Sequence, residues 1–122
     1  MSAARKTAGP ARVPATRRLE GARLANRRLI FETIFHRAPI SRVEIGGIIG
    51  LNAQAISSIT RDLLEEGLIA EAGRSSGLRG QPQIYLEPNA RAGFSVGVHL
   101  DQDLCLLVVS DLKRNELVRR QL

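Results

Sequence analysis

Four polar side chains recur at helical spacing between residues 54 and 61, and their chemistry suits hydrogen bonding to nucleic acid. These side chains, which we call the polar face, are Gln54, Ser57, Ser58 and Arg61. At 3.6 residues per turn they lie opposite an apolar stripe of Ile56, Ile59 and Leu63. An amide can pair with an adenine edge, hydroxyls can bond bases or phosphates, and a guanidinium can reach guanine or phosphate. The spacing predicts a helix that contacts double-stranded DNA, although a plain solvated helix face fits the same pattern.

A three-residue interruption precedes this helix. Gly50 can take the left-handed conformation that ends a helix, Leu51 can fill the space between two helices, and Asn52 can cap the next one. Two short helices joined in this way form a helix-turn-helix, which leaves the second helix free to enter a major groove. We therefore predict that the third helix runs from Ala53 to Glu66.

The helix before the turn is predicted over residues 42–49. Ser41 followed by Glu44 is a capping-box pattern, in which each side chain satisfies a backbone N–H group of the other residue. Gly46 and Gly47 in its interior indicate either close packing of a neighbouring helix or a locally weak helix. The residues that we expect to be buried are Val43, Ile45, Ile48 and Ile49.

Two strands with a basic loop between them follow the third helix. Residues 68–73 and 82–88 alternate apolar and polar side chains, which predicts a hairpin. Arginines near a narrow hairpin tip can enter the negative potential of a minor groove, so the hairpin is interpreted as a wing, with a merely flexible loop as the alternative. The predicted DNA-binding residues are Asn52, Gln54, Ser57, Ser58, Arg61, Arg74, Arg79, Gly80 and Gln81.

The positive charge of the chain is concentrated at its beginning. The net charge is +6, but the first 28 residues hold eight basic residues and one acidic residue, a net of +7, so the remainder nets −1. Residues 1–19 lack apolar periodicity, and we expect a disordered basic arm there that can gain DNA affinity by displacing counterions. Arginine outnumbers lysine 16 to 2, which codon bias explains as readily as DNA contact.

The first helix is predicted over residues 20–37, and it opens a DNA-binding domain that extends to residue 90. Its apolar stripe comprises Leu24, Ile30, Phe31, Ile34 and Phe35. A chain of 122 residues has room for this domain and part of a second one.

The remaining residue types favour no catalytic, metal or cofactor site. The single Cys105 cannot form an internal disulfide and is expected to be buried, while His36 and His99 are isolated. Asp101 and Asp103 lie at an expected hairpin tip, where carboxylates usually form turns. Because the sequence also lacks a membrane-spanning apolar run and a signal peptide, we expect a cytoplasmic protein that is not an enzyme.

Three segments together resemble a known family. "APISRVEIGGIIGLNAQAISSITRDLLEEGLIAEAG", "LRGQP" and "AGFSVGVHL" are similar to the N-terminal part of ROK-family transcriptional repressors, whose relatives include sugar kinases. The resemblance covers residues 23 to about 122. It implies an α+β fold, with a three-helix winged helix-turn-helix and a two-stranded wing, that binds operator DNA of sugar-related genes as a homodimer. It also implies a connection to a sugar-sensing domain with an actin-like ATPase fold.

Some positions depart from the family pattern. Family members often carry a basic residue at the places of Ala53 and Ser58, and the wing matches only one family arginine, Arg79. In the kinases, an acid and paired glycines approach nucleotide phosphate where this chain has His99 and Asp101-Gln102. We therefore expect fewer phosphate contacts to DNA, and no binding of ATP.

Residues 91–122 are predicted to form a three-stranded β-meander that resembles the start of the sensor domain. Three strands cannot build a two-lobed sensor, so we expect a truncated chain without a sugar effector site. An apolar sheet of this size needs cover from the winged helix or from a second chain, or else it is only marginally stable. Two alternatives remain open for the whole chain, which are a remnant of a sugar kinase and a winged-helix module that binds protein.

Overall fold

The computed structural model describes residues 14–75 and 82–122. The helical part comprises α1 (Ala15–Arg37), α2 (Arg42–Ile49) and α3 (Ala53–Glu65). The strands are β1 (Ile40–Ser41), β2 (Ile69–Ser75), β3 (Gln83–Pro88), β4 (Phe94–Asp101), β5 (Leu104–Asp111) and β6 (Glu116–Gln121), with a short 3-10 helix, Ala90–Ala92, before β4. The antiparallel sheets have the orders β1-β3-β2 and β4-β5-β6. The predicted fold class, a winged helix-turn-helix followed by a β-meander, is therefore confirmed.

One apolar core holds the three helices against the first sheet. Its side chains, each at most 4% exposed, are Ile30, Ile34, Ile40, Ile45, Ile56, Ile59, Leu63, Ile69 and Leu86. Burial of a side chain of this size contributes about 1.5–3 kcal/mol to folding. Every helix and every strand of the first sheet supplies at least one of these residues, so the core fixes how α3 is presented.

Helix α1 is longer than predicted, but the part of it that packs against the core is shorter than predicted. It begins at Ala15, so residues 15–19 belong to a helix and not to the expected disordered arm, whose residues 1–13 lie outside the described part. Only Ile30 and Ile34 of α1 are fully buried, and Leu24 is 67% exposed, contrary to its place in the predicted stripe. Periodicity identifies an apolar side of a helix, but it does not show how much of that side meets a partner.

Helix α2 has the predicted bounds and the predicted capping box. The backbone N–H of Glu44 donates to Oγ of Ser41 at 3.3 Å, and the backbone N–H of Ser41 donates to Oε2 of Glu44 at 2.8 Å. The burial prediction is correct for Ile45 and wrong for Val43 and Ile48, which are 71% and 47% exposed. An eight-residue helix presents only one narrow side to the core, and its remaining apolar residues face outward.

The two interior glycines of α2 have different surroundings. A Cβ atom at Gly46 would lie 3.2 Å from Cδ1 of Ile56 on α3, whereas a Cβ atom at Gly47 would have no neighbour within 4 Å. Close packing, one of the two explanations open at the sequence level, therefore applies to Gly46 alone.

The open position of Gly47 gives a stability prediction. Replacing Gly47 with alanine should raise the free energy of unfolding by about 0.5–1 kcal/mol, because alanine loses less backbone entropy in a helix interior. Gly46→Ala should gain less, because the side chain of Ile56 must move to admit the new methyl group. Urea denaturation of both variants tests this difference, and an equal gain in the two would contradict the packing described for Gly46.

The first sheet contains a strand that the sequence did not reveal. Strand β1 pairs with β3 through Ile40 opposite Leu86 and Ser41 opposite Tyr85, and two residues are too few to display an alternating pattern. The predicted hairpin of β2 and β3 is confirmed with slightly shifted ends, and its register shifts between Glu71 and Gly73. Residues 76–81, the predicted wing tip, lie outside the described part of the chain.

The meander of β4, β5 and β6 is confirmed, including its first turn. The backbone N–H of Gln102 donates to Oδ1 of Asp101 at 2.8 Å, so Asp101 acts as a turn former. Cys105 is half-buried, contrary to the expected burial, because β5 has a strand on either side but exposed sheet faces. The apolar side chains of β4, which are 57–72% exposed, are Phe94, Val96, Val98 and Leu100.

The second turn of the meander joins it to the helical unit. Nζ of Lys113 lies 3.1 Å from Oε1 of Glu87. The guanidinium of Arg114 lies 4.8 Å from the ring centroid of Phe35 and donates to the carbonyl of Phe35 at 3.4 Å. The side chains that make these contacts belong to the turn, while the apolar face of β4 stays exposed. Of the three alternatives left open for this sheet, cover by the winged helix therefore does not apply to the apolar face of β4.

Candidate nucleic-acid interface

The turn between α2 and α3 has the predicted geometry. Gly50 has φ of 78°, in the left-handed region, and its N–H donates to the carbonyl of Gly46 at 2.9 Å. Oδ1 of Asn52 accepts from the backbone N–H of Ala55 at 2.8 Å and so caps α3. Leu51 packs against the core. The side-chain oxygen of Asn52 is therefore occupied by the helix cap, at the edge of the polar face.

Helix α3 separates its two sides clearly. Its apolar stripe, together with the hydroxyl-bearing Thr60, is at most 4% exposed. Gln54, Ser57 and Arg61 are exposed and Ser58 is half-buried, and all four line one shallow depression on the surface. The polar face therefore projects outward as predicted, while its binding role stays a prediction.

A buried hydroxyl ties α3 to the start of α2. Oγ1 of Thr60, which is 0% exposed, donates to the carbonyl of Ile56 at 2.8 Å and accepts from Nε of Arg42 at 2.9 Å. Because Arg42 is the first residue of α2, this bond restrains the angle between the two helices. Neither residue was predicted from the sequence to have a functional role, since a pair 18 positions apart leaves no local signal.

Two ion pairs, which we call the arginine clamp, join α1 to the carboxyl-terminal half of α3. They pair Arg23 with Asp62 and Arg27 with Glu66, and Nη1 of Arg27 lies 2.7 Å from Oε1 of Glu66. Hydrogen bonds from Arg27 lower the pKa of Glu66, and the hydrogen bond to Glu66 raises the pKa of Arg27. Exposed ion pairs add little stability, so the clamp matters chiefly for orienting α3 and offsetting its acidic charge.

The clamp was not predicted from the sequence, although a signal for it existed there. Two arginines four residues apart on α1 match two acids four residues apart on α3, and such pairs form ridges on a helix surface. Glu65 remains exposed, one turn beyond Arg61. From Ala53 to Arg61 the helix carries no acidic residue, so the surface around the polar face favours an anionic partner.

The wing contributes one described residue to the predicted site. Arg74 is exposed in β2, opposite Ile84 of β3. Arg79, Gly80 and Gln81 lie outside the described residues. Their role in DNA contact, like that of Arg74, stays a prediction.

Side chains that could ligate a metal ion are dispersed over the described residues. Within residues 14–75 and 82–122, no group of three or more His, Cys, Asp or Glu side chains is placed to hold a metal ion. Nδ1 of His36 lies 3.0 Å from the guanidinium of Arg114, and His99 pairs with Leu106 in the meander. None of the helices in these two ranges is both long enough and apolar enough to cross a bilayer.

Several known proteins are similar to this chain in sequence. No family model matches the chain. The chain is 31% identical to the xylose repressor of Bacillus spizizenii over 88 residues, which are 72% of this chain and 23% of the repressor. It is 28% identical over 92 residues to the DNA-binding transcriptional dual regulator NagC of Escherichia coli K12, covering 75% of this chain and 23% of NagC. The chain thus spans about a quarter of the length of these relatives.

A solved structure has a similar fold over most of this chain. The crystal structure of a ROK family transcriptional regulator, a homologue of the E. coli MLC protein, superimposes with a TM-score of 0.59 and 22% identity, over 83% of this chain and 26% of that one. The three helices, the paired strands β2 and β3 and the outward polar face define the class of winged helix-turn-helix proteins. Over the residues that it shares with these repressors the chain is similar to them in sequence, and it has the fold of the ROK family regulator.

Proposed function

We propose that this chain binds double-stranded DNA in a sequence-specific manner and acts as a transcriptional regulator. The observation that carries the proposal is the outward polar face of α3, which holds an amide, two hydroxyls and a guanidinium and lies opposite the buried stripe. Side chains of these types can read base edges in a major groove. The clamp supports the same function, since it holds α3 by its carboxyl-terminal half and offsets two of its acids there.

The finer parts of the proposal rest on the relatives. Two of them are named as repressors or regulators of transcription, and we infer that this chain represses sugar-related genes and binds its operator as a homodimer. The wing, through Arg74 and Arg79, is proposed to reach the minor groove. We further propose that the chain carries no enzymatic activity and no sugar site within these residues, and that it acts in the cytoplasm.

The test is selection of duplexes from a random-sequence DNA library, followed by binding titrations over a range of salt concentrations. The selected duplex and a scrambled duplex of equal length are compared for the full chain and for a chain that lacks residues 1–13. Because α1 begins at Ala15, this deletion removes the basic arm and leaves the helix intact. We expect the deletion to lower the salt dependence and to preserve the preference for the selected duplex.

Two outcomes would contradict the proposal. Equal affinity of the full chain for both duplexes would show that binding is only electrostatic. Loss of all preference on deletion of residues 1–13 would assign recognition to the arm, and would favour the alternative in which the helical unit binds a protein partner.

A further inference from the structure

An apolar groove lies between α2 and α3, beside the turn that joins them. Arg42 and Ser57 are its polar lining residues, and the rest of its lining is apolar. Val43 of α2 and Ala53 of α3 are both exposed, so the groove presents apolar side chains to solvent. The apolar lining residues are Val43, Gly46, Leu51, Ala53 and Ile56.

Close packing of the two helices forms the base of the apolar groove. A Cβ atom at Gly46 would lie 3.2 Å from Cδ1 of Ile56, so α2 and α3 approach each other closely at this point. Ile56 belongs to the buried core, and Leu51 packs against that core. The groove is therefore bounded by packed residues, and the fold sets its shape.

The apolar groove adjoins the polar face of α3. Ser57 lines both the groove and the depression that holds the polar face. Ala53 lies four residues before Ser57, so the two side chains are only about 40° apart around the helix. Ala53 also directly precedes Gln54, the first residue of the polar face. A duplex that contacts the polar face through Ser57 therefore also lies against the groove.

Double-stranded DNA offers one group that suits an apolar groove. In the major groove the edges of the base pairs present hydrogen-bond donors and acceptors, and thymine adds a methyl group. Donors and acceptors lose free energy when they are placed against apolar side chains without a partner. A methyl group instead gains free energy when it leaves water for such a surface.

We propose that the apolar groove receives the methyl group of a thymine in the operator, in contact with Val43 and Ala53. This inference rests on the proposed function and adds to it a requirement on the DNA sequence, which is a thymine next to the bases that the polar face reads. Because the contact is apolar, it contributes to sequence preference without adding to the salt dependence of binding.

The test removes single methyl groups from the DNA. Each thymine of the selected duplex is replaced in turn by deoxyuridine, which keeps the base pair and lacks only the methyl group. For the full chain we expect at least one thymine whose replacement lowers the affinity about 4-fold, the change that burial of one methyl-sized group gives. The salt dependence should be the same for the two duplexes.

Val43→Ala tests whether the apolar groove is the partner of that methyl group. Val43 is exposed, and alanine favours a helix more than valine does, so the variant should fold, which circular dichroism checks. In this variant the same replacement should lower the affinity less than about 2-fold. Val96→Ala is the matched control, because it makes the same change at an exposed position of β4, and it should keep the wild-type loss.

Two outcomes would overturn this inference. One is an equal loss in Val43→Ala and in the wild type, which would show that the methyl group acts through the shape of the DNA or at another surface. The other is a selected duplex without any methyl-sensitive thymine. In a protein that prefers its selected duplex, both outcomes leave the proposed function standing. A wild-type chain without any preference would overturn both proposals.

Discussion

Replacing Leu63 with alanine is expected to lower the free energy of unfolding by about 2–5 kcal/mol. Leu63 is 1% exposed, and it lies in the core where α3 meets the other helices and the first sheet. Truncation removes its buried methyl groups and leaves a cavity that the surrounding branched side chains cannot close completely. Because a small domain is stable by only about 5–15 kcal/mol, this loss is a large part of the total. Urea denaturation followed by circular dichroism measures it.

The matched control is Leu24→Ala. It makes the same chemical change in a helix, but Leu24 is 67% exposed, and exposed substitutions usually change stability by no more than about 0.5 kcal/mol. If Leu24→Ala destabilised the protein as much as Leu63→Ala, the limit of the packed region on α1 would be placed wrongly.

Replacing Gln54 or Arg61 with alanine is expected to remove most of the discrimination at the base pair that each side chain reads. A good bidentate contact contributes about 1–3 kcal/mol of discrimination, which corresponds to a roughly 5- to 150-fold change in relative affinity. Both side chains are exposed on α3, opposite the core, so their removal should leave the free energy of unfolding almost unchanged. Competition titrations with duplexes altered at single positions measure the discrimination, and denaturation measures the stability.

Arg91→Ala controls for the loss of one positive charge. Arg91 is exposed on the 3-10 helix and belongs to neither the polar face nor the wing. It should leave the pattern of base preference unchanged. Should Gln54→Ala and Arg61→Ala also leave this pattern unchanged, the polar face would not be the surface that recognises sequence.

Local signals predicted the centre of the molecule accurately. The bounds of α2, its capping box, the left-handed Gly50 and the cap at Asn52 all follow from residues within four positions of one another. A cap or a tight turn is satisfied by its immediate neighbours, so its pattern in the sequence is nearly the whole interaction. Such signals placed α3 and its polar face correctly.

Longer-range features were predicted less well, and for a common reason. Strand β1 exists because β3 lies beside it, and the clamp exists because the fold brings residues 23–27 of α1 to the carboxyl-terminal half of α3. Val43 and Leu24 are exposed because none of the described elements covers their sides of the helices. Each of these outcomes depends on residues tens of positions away, which a periodicity of 3.6 or 2 residues does not register.

By itself, the sequence determined where the helix-turn-helix bends and which side of α3 is polar, because backbone conformation and amphipathicity are encoded within a few consecutive residues. Only the tertiary structure decided how far α1 packs and which acids of α3 are offset by arginine. These features arise when separate elements share one core, since close packing fixes the distances and directions between side chains that are remote in the chain.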